Sequence, residues 1–256
     1  MGNLAAGLAL FAGVIAGTLL CLELGRRRGL RDVATDHKPA GLVAVETVAF
    51  GLLGLMLALT FTGAAARLDT RRAQIVDEAN AIGTAWLRLD TLPAAAQPAL
   101  RETFRRYTDS RIQTYRMISV SGMDAARAEL ARSLAMQQEI WTQAVAASRD
   151  VPAATIVLLP ALNEMFDITT TRIAATQMHP PNLVYVVLGL LTLACAFLVG
   201  YEMGAAATPS RPHIFVLVLL LSLTLYVIFD FEYPRIGFIR IDDFDQLIVQ
   251  VRASMG

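Results

Sequence analysis

Apolar residues gather into four blocks, 4–24, 42–66, 183–201 and 214–229, separated by stretches rich in charge. A bilayer's hydrocarbon core, ~30 Å thick, takes about 20 helical residues at ~1.5 Å each. Each block is therefore predicted to be a membrane-spanning helix. The fourth is the shortest, with Pro212 and Asp230 placed to sit at the two interfaces. The first block is not patterned as a secretion signal. No positive charge precedes it, no small-residue cleavage site follows it, and the arginines of "RRRGLR" come after.

Between the second and third blocks the pattern changes to helical spacing in water. Residues 64–93, "AAARLDTRRAQIVDEANAIGTAWLRLDTLP", continue from the second block with nothing to stop a helix until Pro93. Leu68, Ile75, Ala79, Ile82, Trp86 and Leu89 form an apolar stripe, and Arg67, Arg71, Glu78 and Arg88 are expected to face water. A second helix places Leu100, Phe104, Tyr107, Ile112 and Tyr115 together and stops near Gly122. A third, with Asp124 as its N-cap, aligns Leu130, Leu134, Gln137, Trp141 and Ala144. A fourth starts at Pro152, is kinked at Pro160 and ends before Pro180 and Pro181. No strand alternation or hairpin signal intervenes. After the last block, Pro234 and Gly237 mark a turn. From Asp242 onward Phe244, Leu247, Ile248 and Val251 share one face of an amphipathic helix, which either lies on the membrane or docks on the bundle.

The expected fold is thus all-α. Residues 1–66 hold two transmembrane helices, and 67–181 a helical extramembrane domain whose first helix continues span two. Residues 182–230 hold two more spans, and 231–256 a turn and an amphipathic helix. Composition agrees: 55% of the 256 residues are hydrophobic and only 17% charged, against about 25% charged in soluble domains. Net charge is zero, which gives no footprint for a nucleic-acid partner. Four crossings place loops 25–41 and 202–213 on one side. Arg26, Arg27, Arg28, Arg31 and Lys38 would make the first loop cytoplasmic by the positive-inside rule. Arginines 67, 71, 72, 172, 235 and 240 flank the opposite ends.

No constellation of catalysis is visible, and the chain is not expected to be an enzyme or to carry a cofactor or metal. His37, His179 and His213 each stand beside a proline in separate segments, without ligand spacing. Cys21 and Cys195 lie inside apolar blocks and read as small hydrophobes. The "IDDFD" carboxylates lack the glycine of a calcium loop. Glu46, near the start of span two, fits an interfacial position.

More informative is span two itself. Ala44, Thr47, Gly51, Gly54, Ala58, Thr62 and Ala65 recur at steps of three and four and so share one helix face. Small faces let membrane helices approach closely. Repeated about a symmetry axis, the same face would line a pore, with Leu52, Leu55 and Leu59 narrowing it to an apolar gate. Helix packing and pore lining both fit residues Gly51, Gly54, Leu55, Ala58, Leu59 and Thr62.

The segment "LTFTGAAARLDTRRAQIVDEANAIGTAWLRLDTLP" resembles one shared by the bestrophin-like domain family of bacterial membrane proteins. The matching positions are Arg67, Asp69, Arg71 and Arg72 after the span, then Glu78, Asn80, Gly83 and the Leu92–Pro93 stop. The ending "DFEYPRIGFIRI", with Asp230, Pro234 and Gly237, is similar to that family's as well. The resemblance implies a multi-pass protein of the bacterial inner membrane with its helical domain in the cytoplasm. By analogy with bestrophins it implies a homo-oligomeric channel for anions such as chloride, its pore lined by the second helix. The alternative is a non-conducting membrane scaffold or sensor whose helical domain binds a protein or small ligand. The expected partners are membrane lipid and further copies of the chain.

Overall fold

The computed structural model describes residues 2–35, 41–206, 211–235 and 237–256. Among these the protein is all-α: α1 (Gly2–Ala34), α2 (Leu42–Arg88), α3 (Gln97–Ser121), α4 (Met123–Ser148), α5 (Pro152–Ala175), α6 (Asn182–Ala205), α7 (Arg211–Glu232) and α8 (Gln246–Ala253). A single 3-10 turn, Leu89–Thr91, ends α2. Among the described residues three helical segments, Leu42–Thr91, Asn182–Ala205 and Ile214–Glu232, are long and apolar enough to cross a membrane. The remaining apolar block lies in α1, which differs from expectation in length. It runs on through Arg26, Arg27, Arg28 and Arg31, so these residues are helical rather than a loop. Glu23 explains why: it pairs with Arg26 and Arg27 one turn on, each at 2.8 Å. His37 and Lys38 lie outside the described residues.

The chain divides into two units, Met1–Leu68 with His179–Phe238, and Asp69–Met178 with Ile239–Gly256. α2 is one unbroken helix that contributes to both. In the first unit α1 packs along α6 and also touches α7. The α1–α6 approach is set by four glycines at i, i+4 spacing, Gly25 and Gly29 on one helix and Gly200 and Gly204 on the other. A methyl group added at Gly25 would strike the Phe197 carbonyl, and at Gly29 the Tyr201 carbonyl. Reciprocally, Gly200 lies against the Leu22 carbonyl and Gly204 against that of Arg26. Backbone meets backbone there, as glycine pairs allow in apolar surroundings. A second cluster joins Leu53 and Ala64 of α2 to Leu188, Cys195 and Ile228. Both cysteines are free thiols.

The second unit is a helical bundle around one apolar core. Ile82, Trp86, Leu89, Leu100, Phe104, Tyr107, Ile140, Leu158, Leu162 and Met165 are all buried in it. Rings of Trp86 and Phe104 tilt together at 5.9 Å, and those of Trp141 and Phe166 meet edge-on at 6.5 Å. The expected stripe of α2 is buried throughout. That of α4 is rotated by about one residue. Leu134 is exposed, and Ala126, Ser133 and Ile140 face inward alongside the expected Gln137 and Ala144. Gln137 and Ser133 are tolerated because partners await them. Gln137 donates to the Tyr107 and Thr169 hydroxyls, both at 3.2 Å, and Ser133 shares a 2.8 Å bond with Ser110.

Helix ends follow local chemistry with two corrections. Gly122 takes a left-handed φ of 84° and separates α3 from α4. Asp124 is not the N-cap; Gly122 occupies that position and Asp124 lies in the first turn, paired with Arg127. Pro152 opens α5 and Pro160 stands inside it. The C-terminal helix is shorter than predicted, starting at Gln246, because residues 242–245 form turns and Asp245 precedes it without a side-chain cap. It docks rather than lying free: Ile248 is fully buried in the bundle core and Leu247 and Val251 pack beside it.

Candidate functional site

Two groups of side chains stand out, one on the apolar part of α2 and one inside the helical bundle. Residues of α2 turn about 100° each. Taking Leu53 as the reference, Gly51, Gly54, Leu55, Ala58, Leu59 and Thr62 fall in an arc centred opposite it. Leu53 is 1% exposed, whereas all six residues are exposed. The helix thus uses the Ala49–Leu53–Met56–Ala64 side for packing within the chain and presents the other side outward. Gly51 and Gly54 differ in kind from the four glycines of α1 and α6. A methyl group at either would meet nothing within 4 Å. Nothing among the described residues requires them to be glycine, although glycine costs a helix up to about 1 kcal/mol relative to alanine.

At the end of that apolar stretch Arg67 reaches Glu232 of α7 with its Nε at 2.7 Å. Glu232 is buried, and His179 Nδ1 lies 3.2 Å from its other oxygen. The His179 ring stacks on Tyr233 at 4.6 Å. His179 lies in the loop between α5 and α6, with its side chain packed. Immediately beyond, Asp230 organises the turn predicted from Pro234 and Gly237. Its Oδ1 accepts from the Phe238 amide at 3.0 Å and from the Tyr226 hydroxyl at 3.3 Å. A side chain at Gly237 would collide with that carboxylate. The Asp230–Pro234–Gly237 spacing is therefore that of a carboxylate-centred turn.

The bundle holds a buried ionic group that corrects the expectation for Glu78. Glu78 does not face water; it is 0% exposed, as is Arg111, and Arg172 is nearly so. Arg111 Nε donates to Glu78 Oε1 at 2.7 Å, and the Tyr115 hydroxyl donates to Oε2 at 2.8 Å. Arg172 pairs with the same Oε2 and reaches Asp245 at 3.3 Å. The Arg172 guanidinium lies over the Tyr115 ring at 3.8 Å, and that of Arg111 at 4.8 Å. Two cations and two carboxylates balance. Burial pushes the Glu78 carboxyl up, but Arg111, Arg172 and the Tyr115 hydroxyl outweigh it and bring it down to about 2. Burial raises the Tyr115 hydroxyl well above the usual phenol range, so it stays a donor.

The remaining motif residues serve this architecture separately. Arg71 is also buried, not solvent-facing. It donates to the Ala175 and Met178 carbonyls at 3.2 and 3.1 Å, closing the end of α5. Arg72 stacks over Phe244 at 5.5 Å and pairs with the exposed Asp69 at 3.3 Å. Asn80 is exposed. At Gly83 an added methyl would only touch the tip of Val251 at 3.8 Å, so no backbone approaches it closely. The partners of Glu78 went unrecognised in the sequence, although a signal exists. Arg111 continues the Leu100–Phe104–Tyr107–Tyr115 stripe, and Arg172 the Leu158–Leu162–Met165–Thr169 stripe. A charge on a core-facing register asks for a buried partner.

Among the described residues no cluster of three metal-ligating side chains occurs. No curated protein and no solved structure matches the chain. A family model described as Bestrophin-like domain matches residues 12–244. That span takes in the outward face of α2, the Glu78 ionic group and the Asp230 turn alike, and the chain belongs to the Bestrophin-like domain family.

Proposed function

We propose that this protein is a homo-oligomeric anion channel with four membrane-spanning helices, whose axial path is lined by the outward face of α2. The observation that carries the reading is that Gly51 and Gly54 are glycines with empty space around them, on a face opposite the one α2 packs within its subunit. A slim face kept at a cost in helix stability serves something outside the single chain. Ala58 and Thr62 extend it, and Leu55 and Leu59 flank it as an apolar constriction. Membership of the Bestrophin-like domain family supports the same reading. The helical domain, residues 67–181 in the expected division, is then cytoplasmic and the membrane bacterial. No catalytic step is involved.

Purified protein in liposomes should pass chloride in preference to gluconate. Replacing Leu55 or Leu59 by serine should raise the flux severalfold by wetting the constriction. A correctly assembled oligomer that passes no anion overturns the proposal. A non-conducting scaffold or sensor is the second reading. It is favoured by a groove of about 710 Å³ in the bundle, bordered by Arg106, Arg116, Arg132 and Arg252 together with Asp109 and Glu129. Subunit number separates the two. A dimer has too few α2 helices to enclose a path, whereas four or more copies suffice.

A further inference from the structure

The α1–α6 pair is closed tightly only at one end. Where Gly25, Gly29, Gly200 and Gly204 meet, the backbones touch, but at Gly13 and Gly189 an added methyl would find nothing within 4 Å. The opened end holds a cavity of about 320 Å³ between α1, α6 and α7, within the size range of small-molecule sites. Phe11, Tyr226, Phe229 and Tyr233 contribute to its wall, as do Gly189 and Ser222. The ring pairs are set edge-to-face or tilted, Phe11 with Tyr226 at 5.4 Å and Phe229 with Tyr233 at 4.6 Å. Ser222 is fully buried, and its Oγ has no hydrogen-bond partner. Serines within helices commonly bond the carbonyl one turn back; this one does not. A buried hydroxyl without a partner in an apolar region is costly.

From these observations we infer that the cavity between α1, α6 and α7 binds a flat, lipid-soluble ring molecule carrying a carbonyl acceptor, of the quinone class, with Ser222 Oγ donating to it. Depth selects this class over a phospholipid. Ser222 lies about 15 Å along α7 from Glu232, at ~1.5 Å per residue, and Glu232 with Arg67 and His179 forms the polar end of that helix. Phospholipid ester carbonyls stay with their headgroups at the interface, so only a tail would reach this depth, and a tail offers Ser222 no acceptor. A ring with its own carbonyl brings one there, and the aromatic wall suits its faces and edges. The glycine at 189 leaves the room.

The test uses the full-length protein in nanodiscs of phosphatidylethanolamine and phosphatidylglycerol, titrated with decylubiquinone by calorimetry. Saturable binding is expected. Gly189→Leu, which fills the cavity, should weaken it at least tenfold while circular dichroism and oligomer size stay unchanged. Ser222→Ala should weaken it about fivefold to tenfold, the scale of one hydrogen bond. Methyl laurate, a tail with an ester but no ring, should not compete. Absence of saturable binding, equal affinity in Ser222→Ala, or full competition by methyl laurate overturns the inference. If Gly189→Leu fails to fold, the serine variant and the competitor still decide.

Discussion

At the scale of single residues, Glu78 is where the bundle's charge balance rests. It sits between two guanidiniums and a phenol in a place water does not reach. Removing one partner of such a group costs about 3–5 kcal/mol, since the other charge stays buried. Glu78→Gln should therefore destabilise the bundle by that order, read from tryptophan fluorescence during chemical unfolding. Both tryptophans, Trp86 and Trp141, lie in this unit, which makes the signal selective. The pH dependence follows from the same geometry. Folded Glu78 holds its proton only near pH 2, whereas the unfolded chain takes it up near the ordinary value of 4.5. Its contribution is complete above pH 4.5 and is lost as pH falls from 4.5 towards 2. The wild type should show this loss of midpoint stability, and Glu78→Gln should show less of it. The residue was visible in the sequence as part of a motif, but its environment was not. A helix stripe read by apolar side chains alone assigns a glutamate to water, and only the register of Arg111 and Arg172 on their own helices reveals the inward turn.

Elements are where the sequence was most legible. The apolar helices, the bundle helices and the long α2 follow from the spacing of apolar residues, and stops at Pro93 and Gly122 from backbone chemistry. The tail helix was over-extended, because Phe244 and Asp242 fit a helical face while the chain there actually turns. The α4 face was partly misplaced because Ser133 looks like a surface residue until its hydroxyl partner is known, whereas Gln137 faces inward as expected. The α1–α6 crossing was missed for a related reason. Glycines carry no side chain, so a hydropathy pattern passes over them. Two predictions separate the glycine classes. Gly200→Val should disrupt the first unit, with overpacking of about 1–3 kcal/mol or more, seen as a lower melting temperature in detergent. Gly51→Ala and Gly54→Ala should leave that temperature equal or higher, because each gains up to about 1 kcal/mol of helix propensity. If the proposed channel reading holds, the same two changes should alter anion flux through liposomes.

At the scale of the whole molecule, the proposed channel is decided by how many copies of the chain assemble. Every one of Gly51, Gly54, Leu55, Ala58, Leu59 and Thr62 is exposed in the single chain, and no pattern in one sequence states how many copies meet. Particle images in nanodiscs should show a ring of at least four subunits if α2 lines a path. The ionic group has one more consequence. Its four charges come from positions 78, 111, 172 and 245, and two apolar helices, α6 and α7, are translated between the third and the fourth. A ribosome releases Asp245 only after both of those helices have left it. Until then Arg172 shares a single carboxylate with Arg111, and Ile248 has yet to fill its place in the bundle core. Maturation of this domain is therefore timed by its last-made segment, and a nascent chain arrested before Asp245 should remain open to protease in the bundle long after its earlier helices have formed.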